Sequence, residues 1–219
     1  MIRAAIALLK KDALAESRSR TALNASLLFA VTALVAVAFS LGSTRVAPGV
    51  LASILWIVIF FAATAGLARS FVAEEESGTA LGLRLAGKAH SVLLGKLLAN
   101  LGLMLLLEAV VLPLFLLLMA LPIANWPGFV CVLLLGTVGL SAAATVSAAL
   151  VAKARGRGEL FAAIAFPLLI PALIGGIRGT QACLPSSHAA LDGPIQLLIA
   201  FDGLLLTVAF LVFEVLWEE

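Results

Sequence analysis

The chain has 219 residues, of which 63% are hydrophobic and only 12% are charged, and its formal net charge is +2. A soluble domain of this length needs more polar surface than these residues supply, so the composition predicts an integral membrane protein. The small positive charge gives no reason to expect a nucleic acid partner.

Six long apolar stretches follow one another along the chain. A helix needs about 20 residues to cross a bilayer core about 30 Å thick, and each stretch is close to that length. None shows the alternation of apolar and polar residues that marks a membrane β-strand. We therefore predict an all-α, polytopic membrane protein whose residues 1–219 form one transmembrane domain. The predicted spans are 21–42, 50–70, 97–121, 129–152, 160–177 and 195–217.

Residues 1–20 combine a helical apolar stripe with basic residues. Ile2, Ile6, Leu9 and Ala13 recur at helical spacing, and the neighbouring lysines and arginines suit anionic lipid headgroups. This pattern predicts an interfacial helix on the membrane surface. The alternative is a basic tail that only sets the topology.

The basic residues fall almost entirely on one side of the predicted membrane. Twelve of the fourteen lysines and arginines lie before the first span, in residues 69–96 or in residues 153–157. Short basic loops stay in the cytoplasm, so both termini are predicted to be cytoplasmic. Arg45 and Arg178 are the two basic residues on the opposite face.

The loop after the second span is the longest polar stretch of the chain. Three glutamates precede a short predicted helix that begins near Thr79 and ends near Lys88, and this order of charges complements a helix dipole. Leu81 and Leu85 lie four residues apart and form a hydrophobic ridge. The pattern favours a docking element, with a solvated loop as the alternative.

The same loop nearly matches the phosphate-binding pattern G-x-x-x-x-G-K-[ST] between Gly82 and Ala89. Ala89 has no hydroxyl to hold magnesium, and no β-strand is predicted before the loop. The match is therefore interpreted as a coincidence, and we do not expect this chain to hydrolyse ATP.

Two acidic residues, Glu108 and Asp202, lie within predicted spans. A charged carboxylate there costs about 2.5 to 3.5 kcal/mol, so both side chains should face inward. The interiors of the predicted spans contain no lysine or arginine, which leaves protonation or hydrogen bonding to hydroxyls such as Thr145 or Ser141. Either a structural polar contact or a role in gating or in the substrate path fits these residues.

Small residues form a stripe in the fourth span. Gly139, Ala143 and Ser147 are spaced by four, which lets another helix of this chain or of a second copy approach closely. Ser141 stands in a sequence faintly similar to the serine motif of intramembrane proteases. No histidine lies in a predicted span to act as its base, so no catalytic residue is predicted.

The fifth span carries Pro167 and Pro171. Each proline removes a backbone donor, so this helix is predicted to be kinked. Gly175 and Gly176 follow, and we expect them to loosen its outer end.

Candidate ligands for haem or a metal are few. The chain has no tyrosine, His90 is predicted on the cytoplasmic side, and His188 in the outer loop. His188 is either solvated or an axial ligand. Cys131 and Cys183 both fall near the outer face, where they either pair or stay as free thiols. No metal-ligand spacing appears, so no bound cofactor or metal is predicted.

Several sequence blocks occur in one order along the chain. They are APGV at 47–50, LARSFVAEEESGTALGLRLAG at 67–87, SVLLGKLLAN at 91–100, LLLGTVGL at 133–140, KARGRGEL at 153–160 and FPLLIPALIGG at 166–176. Together they resemble the haem exporter protein B family, the permease subunit of the cytochrome c maturation ABC transporter. The resemblance extends over most of the chain.

The resemblance implies a non-catalytic permease of the ABC exporter type in the bacterial inner membrane. A separate ATPase subunit would use ATP, haem would be the substrate, and other haem-handling membrane subunits and a periplasmic haem chaperone would be partners. Residues 71–96, here termed the coupling loop, would contact the ATPase. The residues assigned to that contact are Glu74, Glu75, Glu76, Gly78, Arg84 and Lys88.

Two other functions share the predicted topology. An ABC permease for lipid, polysaccharide or drug would also carry a docking loop. A membrane scaffold subunit would hold a complex together without moving a substrate. The resemblance itself does not decide between transport of haem and its release.

Overall fold

The regular secondary structure in the described part of the chain is entirely α-helical. The computed structural model describes residues 2–19, 21–42, 44–67, 89–152, 157–185, 187 and 189–218, and no strand occurs in these ranges. Six of the helices are long and apolar enough to cross a membrane, which confirms the all-α polytopic prediction. The helices are α1 Ile2–Ser19, α2 Thr21–Leu41, α3 Pro48–Leu67, α4 Ala89–Met119, α5 Trp126–Ala152, α6 Arg157–Ala182 and α7 Asp192–Glu218.

Two helices extend five or more residues beyond an end of the predicted span. α4 begins at Ala89, whereas the predicted span began at 97, and α6 continues to Ala182, beyond the predicted end at 177. Lys96 and Arg178 therefore lie inside helices, and the statement that the spans hold no lysine or arginine is wrong. A span predicted from hydropathy stops at the first charged residue. The helix itself can continue past that residue when the charged side chain has a partner or reaches water.

α5 is the central helix of the bundle. It packs against α3, α4, α6 and α7, and 72% of the residues in its candidate span are buried, compared with 17% in α2. The stretch of residues 139–149 is mostly Gly, Ala and Ser. Because lipid tails are as apolar as leucine, helices in a membrane associate where small side chains allow close van der Waals packing. The composition of α5 thus explains its central place.

Trp56 of α3 fills the space between α5 and α6. Its indole is completely buried and lies directly against the backbone of Gly136 and Gly176, where a Cβ atom would overlap the ring. The indole Nε1 donates a hydrogen bond of 2.8 Å to the Thr180 hydroxyl. One aromatic residue and two glycines therefore define how three helices meet.

Gly175 and Gly176 do not loosen the outer end of α6, contrary to the sequence prediction. The helix continues through them to Ala182. A Cβ at Gly175 would lie 2.7 Å from Leu198 of α7, so these glycines serve close contact between helices. Pro167 and Pro171 lie within the same helix.

Hydrogen bonds tie the outer end of the bundle, the end predicted to face away from the cytoplasm. Gln181 Nε2 donates to the Gly49 carbonyl at 3.0 Å, which joins α6 to the start of α3. The carbonyl of Cys183 accepts from the backbone N–H groups of Ala124 and Asn125. The Asn125 side chain in turn caps α5, accepting from the Gly128 N–H at 3.0 Å. These bonds give the end of α6 partners beyond the predicted span.

α1 packs against the inner end of the bundle, the end predicted to face the cytoplasm. A Cβ at Gly95 of α4 would lie 2.8 Å from the Leu8 Cβ, so glycine is needed for this crossing. Glu16 accepts a hydrogen bond of 2.8 Å from the Leu23 N–H in the first turn of α2. Ala5 is buried, whereas Ile6 of the predicted apolar stripe is 42% exposed. α1 therefore contacts both α2 and α4 and also leaves apolar surface on its outside.

Candidate functional site

Two polar contacts join α4 to α5 inside the bundle. Asn100 Nδ2 lies 2.8 Å from Thr145 Oγ1 and donates to it. Glu108 Oε1 and Thr137 Oγ1 are hydrogen bonded at 2.6 Å. The helices run in opposite directions, and the two contacts are about two turns apart on each of them. A single register of α4 against α5 therefore satisfies both contacts.

Both intramembrane acids face inward, as predicted, since Glu108 is 3% exposed and Asp202 is 6% exposed. The predicted hydroxyl partners are wrong, however. Glu108 bonds to Thr137, while Thr145 is engaged by Asn100, and the buried Ser141 Oγ has no hydrogen-bond partner among the described residues. The antiparallel register of α4 against α5 places Thr137 opposite Glu108. This register could not be predicted from the sequence, so the partner of Glu108 could not be predicted either.

Asp202 of α7 lies against the small-residue stripe of α5. A Cβ at Gly139 would be 2.6 Å from Asp202 Oδ1 and 3.2 Å from the Ala172 Cβ. The close approach predicted for the stripe is confirmed at Gly139, and the partners are α6 and α7 of the same chain. Neither carboxylate oxygen of Asp202 has a hydrogen-bond partner in the part of the chain that the structure describes.

The two acids do not form a carboxylate pair. Glu108 contacts Thr137, and Asp202 contacts Gly139. These α5 positions are two residues apart, or about 200° around a helix with 3.6 residues per turn. Glu108 and Asp202 therefore lie on opposite sides of α5, in different helix interfaces.

An ion pair joins α1 to the beginning of α4. Lys96 Nζ lies 2.9 Å from Asp12 Oδ2, and Lys96 is 3% exposed. Asp12 is also 3.8 Å from the ammonium of Lys11. The sequence placed Lys96 in the coupling loop, but residues 89–96 form the first turns of α4. The ion pair thus lies about two turns into α4.

The residues assigned to ATPase contact lie outside the described residues. α4 begins at Ala89, directly after Lys88 in the sequence, and α4 packs against α1. The residues concerned are Glu74, Glu75, Glu76, Gly78, Arg84 and Lys88.

Among the residues that the structure describes, the candidate ligands for haem or a metal do not converge. His90 lies in the first turn of α4 and stacks on Phe210 of α7, with 5.5 Å between ring centroids, while His188 lies outside the described residues. Among the described residues, no three histidine, cysteine, aspartate or glutamate side chains are grouped to hold a metal ion.

The two cysteines near the outer end are free thiols. Burial raises the pKa of the Cys183 thiol, and the neighbouring Cys131 adds to the rise. A raised pKa keeps a thiol protonated and weakly nucleophilic. Of the two states that the sequence left open, this structure contains the unpaired one.

The chain matches a known protein family but no individual curated protein. The model of the family described as CcmB protein matches residues 3–215, and this range includes α1 except for its first residue, the coupling loop and all six candidate spans. The family comprises permease components of the ABC transporter of cytochrome c maturation. Because the match covers nearly the whole sequence, the chain belongs to the CcmB protein family, the haem exporter protein B family.

Proposed function

We propose that this chain is the non-catalytic permease subunit through which a separate ATPase subunit drives haem handling in cytochrome c biogenesis. The family match over residues 3–215, on a fold with six candidate spans, carries the proposal. The complex would lie in the bacterial inner membrane, with both termini of this chain in the cytoplasm. Other haem-handling membrane subunits and a periplasmic haem chaperone would complete it.

Energy would enter through the coupling loop. Residues 89–96, the last part of the coupling loop, form the first two turns of α4, and α4 is joined to α1 by the pair of Lys96 and Asp12. A displacement of the docked loop would therefore act on α1 and α4 together. It would reach α5 through the bonds that Asn100 and Glu108 make. ATP binding can shift the permease between conformations only if the docked loop interacts differently with the ATPase in each of them.

The packing of the interior favours haem release over passage of haem through the core of one chain. α5 is enclosed by α3, α4, α6 and α7, and Trp56 fills the junction with α6. A molecule as large as haem would have to separate these contacts in order to pass through the chain. A helix bundle that changes its packing against a neighbouring subunit can release a bound haem chaperone without opening its own core.

The docking step is tested by reversing charge in the coupling loop. Arg84→Glu with Lys88→Glu should prevent the ATPase subunit from co-purifying with this chain. Arg45→Glu with Arg178→Glu makes the same change at the outer end and should leave co-purification intact. Equal recovery of the ATPase with both double variants would remove the coupling loop as the docking site.

The outcome of ATP turnover is tested with the complete complex in vesicles. If the complex releases chaperone, ATP should free haem-loaded chaperone from the membrane without moving haem across the bilayer. A complex with a hydrolysis-deficient ATPase subunit is the control and should retain the chaperone. ATP-dependent accumulation of haem on the far side of the vesicle membrane would favour export.

A further inference from the structure

The hydroxyl of Thr137 makes two short contacts but has one hydrogen. Its Oγ1 lies 2.6 Å from Glu108 Oε1 and 2.7 Å from the carbonyl oxygen of Leu133. Full O–H···O hydrogen bonds have typical lengths of about 2.7 to 2.8 Å, so each contact is short enough to need a hydrogen of its own. A threonine hydroxyl can supply only one of them. The second hydrogen must belong to the carboxyl group of Glu108.

A neighbouring threonine shows how the two hydrogens are arranged. Thr145 Oγ1 lies 2.6 Å from the Ser141 carbonyl and accepts from Asn100 Nδ2 at 2.8 Å. An amide nitrogen can only donate, so Thr145 gives its hydrogen to the carbonyl four residues before it. Thr137 makes the same contact with the carbonyl of Leu133. By the same pattern, Thr137 donates to Leu133 and accepts from Glu108.

The surroundings of Glu108 do not favour a charged carboxylate. Helices α2 and α3, which pack against α4, contain no charged residue. α1 contributes Asp12, paired with Lys96, and α7 contributes Asp202, on the other side of α5. Lys96 is twelve residues from Glu108 on α4, about 18 Å along the axis. An ionised group placed here would cost about 2.5 to 3.5 kcal/mol.

We propose that Glu108 is a proton-binding site within the membrane, whose carboxyl proton forms the hydrogen bond to Thr137 Oγ1. Release of that proton to water would leave Glu108 Oε1 and Thr137 Oγ1 as two acceptors facing each other. Thr137 would then have to give up its bond to Leu133, or α4 would have to move away from α5. Proton binding at Glu108 and contact between α4 and α5 are therefore linked. This inference does not depend on the proposed function.

Infrared spectroscopy of the full chain in lipid nanodiscs at neutral pH tests the proposal. Water-exposed acids are ionised at this pH, so a C=O band of a protonated carboxyl must come from a buried acid. We expect such a band in the wild type and its loss or clear reduction in Glu108→Gln. Asp202→Asn is the matched control and should retain the Glu108 contribution. Identical carboxyl bands in the wild type and Glu108→Gln would overturn the proposal.

Thr137→Val provides a second, independent measurement. Valine has nearly the shape of threonine but cannot accept a hydrogen bond, so the Glu108 carboxyl band should shift to higher frequency. If Glu108→Gln fails to fold, the shift of the carboxyl band in Thr137→Val is sufficient to test the proposal. A band that is absent from the wild type, or unmoved by Thr137→Val, would show that the carboxyl proton is not bonded to Thr137.

Discussion

At the scale of single residues, the glycines determine the helix packing as much as the large side chains that pack against them. Trp56 is fully buried because Gly136 and Gly176, which lack a Cβ atom, let their backbones lie directly against the indole ring. In the sequence, neither glycine differs from any other small residue of an apolar helix. A tryptophan buried by three helices also needs a partner for its N–H group, and the Thr180 hydroxyl provides it.

We predict that Gly136→Ala and Gly176→Ala each destabilise the fold by about 1 to 3 kcal/mol, because the added methyl group overlaps the indole of Trp56. Thermal unfolding in detergent, followed by intrinsic tryptophan fluorescence, measures the effect. Gly102→Ala is the matched control, since nothing lies within 4 Å of a Cβ there. This control should be neutral or stabilising, because alanine favours a helix over glycine. Equal stability of all three variants would contradict the close packing of Trp56 against Gly136 and Gly176.

At the scale of helices, α1 and α4 are held together by charge as well as by packing. Lys96 is almost completely buried and is paired with Asp12. Removing one partner of such a pair leaves an uncompensated buried charge, whereas removing both often costs little. The stability of the α1–α4 contact should therefore depend on which charges are removed, and not only on how many.

Asp12→Asn should accordingly lower the thermal unfolding midpoint more than the double variant Asp12→Asn with Lys96→Met. Methionine keeps most of the length of the lysine stem without its charge. Lys10→Met changes an exposed lysine of α1 and should have little effect, which controls for loss of charge on this helix. A double variant less stable than Asp12→Asn would show that the lysine is stabilised by groups other than Asp12.

The register of α4 against α5 is a second property of helices. Asn100 and Thr145 mark it by a buried hydrogen bond. Hydrogen bonds between membrane helices average about 0.6 kcal/mol in double-mutant cycles. The small side chains of α5 are therefore expected to hold the helices together, and the polar pairs to select the register.

A double-mutant cycle with Asn100→Leu and Thr145→Val should give a coupling of about 0.6 kcal/mol. The free energies of unfolding of the two single variants and the double variant supply it. Asn100→Leu with Ser141→Ala is the reference cycle, because no hydrogen bond joins the side chains of Asn100 and Ser141 in this structure. A reference cycle with coupling as large as that of the first cycle would assign the effect to helix packing.

At the scale of the whole molecule, the distribution of basic residues predicts which ends of the helices face the cytoplasm. The coupling loop lies on the same side as both termini in this topology. The opposite side carries Arg45 and Arg178. Every proposal that involves an ATPase depends on this orientation.

Labelling with a membrane-impermeant thiol reagent tests the topology. A variant with Cys131→Ala and Cys183→Ala removes the native thiols, and Glu75→Cys or Arg45→Cys then adds one. In cells with a permeabilised outer membrane, Arg45→Cys should react, while Glu75→Cys should react only after the inner membrane is opened. Labelling of Glu75→Cys in cells with an intact inner membrane would show that the coupling loop faces away from the cytoplasm. ATPase docking at this loop would then be excluded.

The features of the functional site that follow from the free-energy cost of placing a charged group in lipid were predictable from the sequence. A carboxylate in an apolar span must face inward whatever the fold, so the burial of Glu108 and Asp202 followed from sequence. Their partners did not, because Thr137 and Gly139 reach them through the register and rotation of neighbouring helices. Lys96 was assigned to a loop, since a buried lysine is costly unless a partner such as Asp12 is known.

The sequence by itself determined the class, the six spans, the predicted orientation and the family, since each depends on composition, segment length or the order of residues along the chain. Transfer of a residue into lipid has a cost that hardly depends on its neighbours. Only the tertiary structure decided that α5 is central, that Trp56 meets Gly136 and Gly176, and that Glu108 meets Thr137. These contacts join residues distant in sequence, and their energies exist only once the helices have a defined register and rotation.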